Sequence, residues 1–286
     1  MSLEQLLRVK NNRIITFDHM EMMGIVNVTP DSFYSGSRME TEEMAYAKAM
    51  EHLEEGALFL DVGGESTRPG SAPVTEEEEI RRICPVIQRI RKAAPEAVIS
   101  ADTYRAGTAQ AALEAGADMI NDISGLTFEP ELARVIAHAG AGVVIMHTGG
   151  RPRTMQQNPR YVDVVEEVRA FLVNQISFAV DSGIGIDQIM IDVGIGFGKT
   201  AEHNLELLHR VDRFDDLGCP HLLAASRKSF LGKLLGRENA EDRLPGTLAV
   251  TSWGALHGMA AARVHDVKEN LDAARTAEAM MEGSRQ

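Results

Sequence analysis

Short apolar runs rich in β-branched residues recur along the chain, each followed by a stretch with helical periodicity. The runs are MMGIVNV (22–28), ALFLDV (57–62), AVISADT (97–103), ADMINDI (117–123), GVVIMH (142–147), QIMIDV (188–193), PHLLAAS (220–226) and AARVHDV (261–267). Each is bounded by Gly, Pro or polar residues and has the length of a buried strand. The clearest helical stretches are 41–56, 75–93, 106–116 and 161–183, with Gly56, Gly116, Gly140 and Gly183 placed as C-caps. Pro85 falls inside the second stretch and predicts a kink there. Strands alternating with helices dictate a parallel α/β fold. Strands apolar on both faces suit either a doubly wound sheet or a closed barrel. Eight of them in 286 residues favour the (β/α)₈ TIM barrel, which takes roughly 250, with a short N-terminal extension over about residues 1–21. No linker divides the chain, so residues 1–286 are expected to form one domain.

The runs share a second property: nearly every one ends in a polar residue. These are Asn27, Asp61, Asp102, Asn121, His147, Asp192, Ser226 and His265. In a closed barrel the C-terminal strand ends share one mouth, where catalytic sites are built. A polar group ending a buried strand needs a partner, so eight converging positions predict a polar ligand site.

Composition narrows the partners. Forty-two acids against twenty-nine bases leave a net charge of −13, which argues against nucleic acid and anionic membranes. Cys84 and Cys219 have no CxxC spacing and are expected to fill the core. The chain has no apolar stretch of signal-peptide or membrane-spanning length, and the expected location is cytoplasmic.

Gly194-Ile195-Gly196-Phe197-Gly198-Lys199-Thr200 superficially suggests nucleotide motifs. A Walker A loop needs glycine where Val193 stands, and a dinucleotide fingerprint needs GxGxxG rather than GxGxG. The glycines mark either a close approach of backbone to a ligand beside Asp192 or a tight turn into the next helix. Ser226-Arg227-Lys228-Ser229 and Arg263-Val264-His265 put cations after the seventh strand and on the eighth, where barrels often hold phosphate. Lys228 and Arg263 are read as anion or ligand contacts in preference to structural pairs, while His265 suits a ligand contact and a supporting hydrogen bond equally. Asp102, Asn121 and Asp192 offer the acceptors and donors that a flat, nitrogen-rich heterocycle requires. Metal-ligand spacings for zinc are missing from the sequence, but Mg²⁺ shared with phosphate oxygens needs few protein ligands, and Asn27 or Asp31 could supply one. The segments TPDSFYSGSR (29–38) and GGESTRPGS (63–71) have the composition of βα loops, with Phe33 placed as a cover over a ligand.

Taken in order, GIVNVTPDSF (24–33), DVGGESTRPG (61–70), SADTYR (100–105), INDISG (120–125), MHTGGRPRTMQ (146–156), DVGIGFGKT (192–200), SRKSFLG (226–232) and RVHDV (263–267) resemble the dihydropteroate synthase family over essentially the whole chain. The resemblance implies a pterin-binding TIM barrel. It would condense p-aminobenzoate with 6-hydroxymethyl-7,8-dihydropterin diphosphate, with Mg²⁺, and would be a sulfonamide target and a homodimer. It also implies pterin contacts at Asp102, Asn121, Met146, Asp192, Phe197 and Lys228, and diphosphate contacts at Asn27, Thr67, Arg263 and His265. Phe33, Thr67, Arg68, Pro69 and Ser229 would hold p-aminobenzoate, Asn27 and Asp31 the metal, and Asp102, Asp192, Lys228 and Arg263 would be catalytic. Two departures stand out: Val193 replaces the proline of a usual DPG, and Ala224 or Ala225 stands where a glycine is common. A corrinoid methyltransferase of the pterin-binding class would lack NVTPDSF and SRKS. A silent pterin-binding homologue would lack the first loop or Lys228. An aldolase would need its lysine within a strand.

Overall fold

The computed structural model describes residues 5–29, 38–66 and 73–283, with backbone alone at 38–40 and 282. A hairpin of β1 (Leu6–Val9) and β2 (Arg13–Thr16) precedes eight parallel strands. These are β3 (Glu21–Asn27), β4 (Phe59–Gly63), β5 (Val98–Asp102), β6 (Met119–Asp122), β7 (Gly142–Met146), β8 (Ile189–Asp192), β9 (Leu222–Leu223) and β10 (Ala261–Val264). Their order is β8-β7-β6-β5-β4-β3-β10-β9. The ring closes where Ile191 bridges to His221, with the Ile191 N–H donating to the Pro220 carbonyl at 2.9 Å. All eight expected strands are present.

The helices are α1 (Arg38–Glu54), α2 (Glu76–Ala93), α3 (Ala106–Ala115), α4 (Glu131–Ala139), α5 (Val164–Asp181), α6 (Ala201–His209), α7 (Ser229–Leu235), α8 (Leu244–Leu256) and α9 (Val267–Gly283). Local chemistry sets their ends. Thr75 caps α2 by accepting from the Glu78 N–H, and four glutamates fill the first turn, where the helix dipole favours negative charge. Gly116 and Gly140 end α3 and α4 in the left-handed conformation, as expected of C-caps. The helix runs unbroken through Pro85. The strand expected over 220–226 is reduced to two paired residues. Pro220 has no N–H for the ladder, and a turn closes from the Ala225 carbonyl to the Lys228 N–H.

Side-chain alternation divides the core in two. One set of residues, among them Leu60, Ile99, Ile120, Val143, Ile191 and Leu223, packs outward against the helices. The other set, Met23, Phe59, Val98, Met119, Val144, Met190, Leu222 and Ala261, fills the barrel together with Leu7, Val9 and Ile15 of the hairpin. The N-terminal extension is therefore a stopper for the barrel floor. Arg8 anchors it with a forked pair to Asp187 at 2.7 and 2.8 Å, and Asn11 and Asn12 turn it through positive φ of 63° and 55°. Cys219 is buried and Cys84 half-buried, both free, and burial raises their thiols to about 12 and about 11.

Candidate active site

The two-residue period that sends Phe59, Val98, Met119, Met190 and Ala261 into the floor sends the next inward residue of each strand toward the mouth. Those residues are Asp61, Ser100, Asn121, Asp192 and Arg263, followed by Asp102 on β5 and His265 beyond β10. Polar side chains thus stack on an apolar floor.

At the centre lies a four-residue cluster. Arg263 donates through Nε to Asp61 Oδ2 at 2.6 Å and through Nη2 to Asp102 Oδ2 at 2.8 Å. Asn121 Nδ2 donates to the same Asp61 oxygen at 2.9 Å. Asp61 is wholly buried, and Asp102 and Asn121 nearly so. Burial pushes the Asp102 carboxyl up to about 7, against the pull of Arg263 and with a further push from Asp61. Arg263 is consequently paired with two carboxylates, an arrangement the sequence reading weighed below a ligand contact. The reason is geometric: β10 lies next to β3, one strand from β4, which brings the guanidinium within reach of Asp61.

Asp192 ends β8, and its Oδ1 accepts from the Gly194 N–H at 2.7 Å. Burial raises its carboxyl and Lys228 lowers it, with a net rise. Lys228 Nζ donates to the Ile195 carbonyl at 2.5 Å and lies 4.7 Å from the centroid of the Phe197 ring. Burial brings the Lys228 ammonium down to about 8, with Asp192 and Asp102 opposing. Beside it, Met146, Phe197, Tyr104, Ile123 and Met155 form an apolar cluster, with Phe128 against its edge. A strip of acceptors and one cation next to an apolar wall suits a planar heterocycle.

The other expected residues fall in several places. Asn27 is exposed at the end of β3, and Ser229 is exposed at the start of α7. Ser226 Oγ and His265 Nδ1 are 3.0 Å apart, so His265 has a hydrogen-bond partner on the neighbouring strand end. Asp31, Phe33, Thr67, Arg68 and Pro69 lie outside the described residues. Both flanks of residues 67–72 meet one buried side chain. Arg105 pairs with Glu65 at 2.7 Å on one side and donates to the Val74 carbonyl at 2.9 Å on the other, while Glu79 holds it from beneath at 2.7 Å.

Two contributors carried no assigned role in the sequence reading: Asp61 and Arg105. Asp61 was visible as a polar strand end. Its partnership with Arg263 spans 202 positions and has no local signature.

Residues 23–265 match the model of the pterin binding enzyme family, and the chain belongs to that family. Within it the likeness is to dihydropteroate synthases. The enzyme of that name from Synechocystis sp. is 42% identical over 259 residues, covering 91% of this chain and 89% of its own. The Xanthomonas albilineans dihydropteroate synthase with 4-aminobenzoic acid superposes with a TM-score of 0.90 at 42% identity, covering 98% of this chain and 99% of that one. The Yersinia pestis dihydropteroate synthase in a sulfonamide drug complex superposes with a TM-score of 0.89 at 36% identity, covering 96% and 98%. The fold is the TIM barrel of these enzymes, and the activity is that of a dihydropteroate synthase in folate biosynthesis.

Proposed function

We propose that the described polar cluster is the pterin and diphosphate site of this synthase, within a barrel that acts as one domain. The observation that carries the reading is the convergence of Asp102, Asn121, Asp192 and Lys228 on one mouth beside Met146 and Phe197. Asp102, Asn121 and Asp192 meet the amino and ring N–H edge of the pterin, and Lys228 meets its acceptor side above Phe197. Asn27, Thr67, Arg263 and His265 are assigned to the diphosphate. Phe33, Thr67, Arg68, Pro69 and Ser229 receive p-aminobenzoate, and sulfonamides compete there.

In the reaction the bond between the exocyclic methylene carbon and the diphosphate oxygen breaks, and the electron pair leaves with pyrophosphate. The arylamine nitrogen then bonds to the methylene carbon and loses one proton. Cationic side chains at the mouth stabilise the charge that grows on the leaving group, while the Asp102 and Asp192 carboxylates offset the positive charge on the pterin. Water must be kept from that cation, which it would otherwise hydrolyse.

An oxygen-donor set of Asn27 with Asp31 fits Mg²⁺, because the exposed Asn27 leaves room for the waters and phosphate oxygens that this ion keeps. Bound there, the ion would neutralise diphosphate charge. We further propose a cytoplasmic homodimer. Trp253 on α8 and Met280 on α9, 37% and 64% exposed, support an association face, and no helix among the described residues is long and apolar enough to cross a membrane.

Pyrophosphate release is measured with Mg²⁺ and the dihydropterin diphosphate, with and without p-aminobenzoate. Release that depends on the arylamine and yields dihydropteroate is expected. Lys228→Ala and Asp102→Asn abolish it in folded protein; near-normal kcat/KM in either variant removes the role given to that residue.

A further inference from the structure

We propose that Lys199 is a positioning residue for the pterin pocket, its ammonium group acting as the internal hub of the 194–198 loop. The inference rests on the reading above, in which Asp192, Phe197 and Lys228 hold the pterin.

The loop makes one turn of its own, the Phe197 N–H donating to the Gly194 carbonyl at 3.1 Å, and the N–H groups of Gly194 and Gly196 donate to Asp192 Oδ1 and Asn204 Oδ1 at 2.7 Å each. Gly194, Gly196 and Gly198 all have positive φ, at 71°, 83° and 66°, so three of its five residues have unusual backbone freedom. The rest of its shape depends on what its carbonyls bind. The Ile195 carbonyl accepts from Lys228, that of Gly196 from Gln156 Nε2, and that of Gly198 from the Tyr161 hydroxyl. The remaining two, on Gly194 and Phe197, accept from Lys199 Nζ at 2.9 and 3.1 Å. Lys199 therefore spans the loop from inside, at the first and fourth of its five residues.

The third short contact of Nζ is His147 Nδ1, at 2.9 Å. An ammonium has three N–H donors, matched by these three acceptors, with the His147 carbonyl a more distant fourth at 3.5 Å. Lys199 is 3% exposed and draws its compensation from carbonyl and imidazole lone pairs. Burial pulls its ammonium down to about 7, while Asp192 supports the charge and Lys228 opposes it. Burial and Lys199 also bring His147 down to about 3, which keeps the imidazole neutral and able to accept. Besides these groups, Tyr161 faces the imidazole, with ring centroids 6.1 Å apart.

Loss of a proton from Lys199 leaves two N–H donors for the two carbonyls and one lone pair. The contact survives only if His147 shifts its own proton to Nδ1 and donates back. Lys199 and His147 thus form a linked pair, and the geometry that places Ile195 and Phe197 beneath Lys228 depends on it. The effect is therefore expected on the pterin substrate and not on p-aminobenzoate.

Lys199→Met keeps the length of the side chain and removes every donor, whereas Lys199→Gln restores two. Steady-state KM for dihydropterin diphosphate is expected to rise about tenfold or more in the methionine variant and less in the glutamine variant, with KM for p-aminobenzoate within about twofold. Unchanged pterin KM, or equal loss for both substrates, overturns the proposal. Asp192→Asn serves as the reference: if it leaves pterin KM unaltered, the pterin assignment fails and this inference with it. If it responds while Lys199→Met does not, only the inference fails. The unaltered protein supplies a test that needs no folded variant. In ¹⁵N spectra of histidine-labelled enzyme, His147 Nδ1 is expected bare at pH 6 and protonated at pH 9, and an Nδ1 that is protonated at pH 6 overturns the pairing.

Discussion

Arg263 reaches from β10 to Asp61 on β4, and the 2.6 Å contact between them lies on a fully buried carboxylate. Asp61 accepts on one oxygen from both Arg263 and Asn121, so it fixes the guanidinium and the amide that stand on either side of Asp102. Removing one carboxylate of this buried, hydrogen-bonded cluster leaves Arg263 with half of its compensation. Asp61→Asn is expected to lower stability by about 3 kcal/mol, read by chemical denaturation. Its kcat should also fall by about tenfold or more, because Arg263 then turns toward Asp102 alone. A variant with native stability and native kcat would show that the pair does not organise the site.

The pH dependence of kcat/KM for the pterin substrate is expected to be bell-shaped. Asp102 must be ionised to accept from the pterin, and burial has raised it to about 7, so activity falls as pH drops through that value. Lys228 must be charged, and burial has lowered it to about 8, so activity falls again as pH rises through that value. Lys228→Arg retains its charge at higher pH and is expected to move the alkaline limb upward. An alkaline limb that stays in place assigns it to another group.

Gly194→Ala tests the loop beside Asp192. A Cβ at this position would lie 1.8 Å from the His147 carbonyl oxygen, on a backbone already at a φ of 71°. The substitution is expected to cost about 2 kcal/mol or more of stability, seen as a lower Tm, and to weaken pterin binding.

Val193→Pro restores the family's common residue. Val193 packs in the outer core next to Asp192, and proline keeps an apolar body there. Less than about a threefold change in kcat/KM is expected; a larger one makes the departure functional. The second departure also has a location: Leu223 and Ala225 pack outward, which leaves Ala224 in phase with the inward Leu222.

Leu7→Ala probes the stopper at the other end. Leu7 is fully buried in the barrel floor, so truncation is expected to cost about 3 kcal/mol while kcat below the melting range is retained. A large loss of kcat without loss of stability would mean that the floor communicates with the mouth.

The order of strands and helices was legible in the sequence because each element is encoded locally. β-branched runs, helix formers, Gly116 and Gly140 as caps and the period of two act within a few residues of one another. The residues at the mouth were legible for the same reason: Asp102, Asn121 and Asp192 end their strands in phase with the inward apolar residues below them. Tertiary structure alone decided the partnerships. Arg263 was legible as a cation at the mouth, but only closure of the ring shows it against Asp61 and Asp102, residues more than 160 positions away. The extension read as an appendage became the barrel floor, because only the closed ring creates the apolar opening that Leu7, Val9 and Ile15 fill. Spacing excluded the nucleotide motifs around Lys199 without giving it a role, and only the folded loop shows acceptors from Gly194, Phe197 and His147 converging on its ammonium. Periodicity and capping are short-range and are written in sequence. Pairing of buried charges depends on distances through space, which the chain acquires only when the barrel closes.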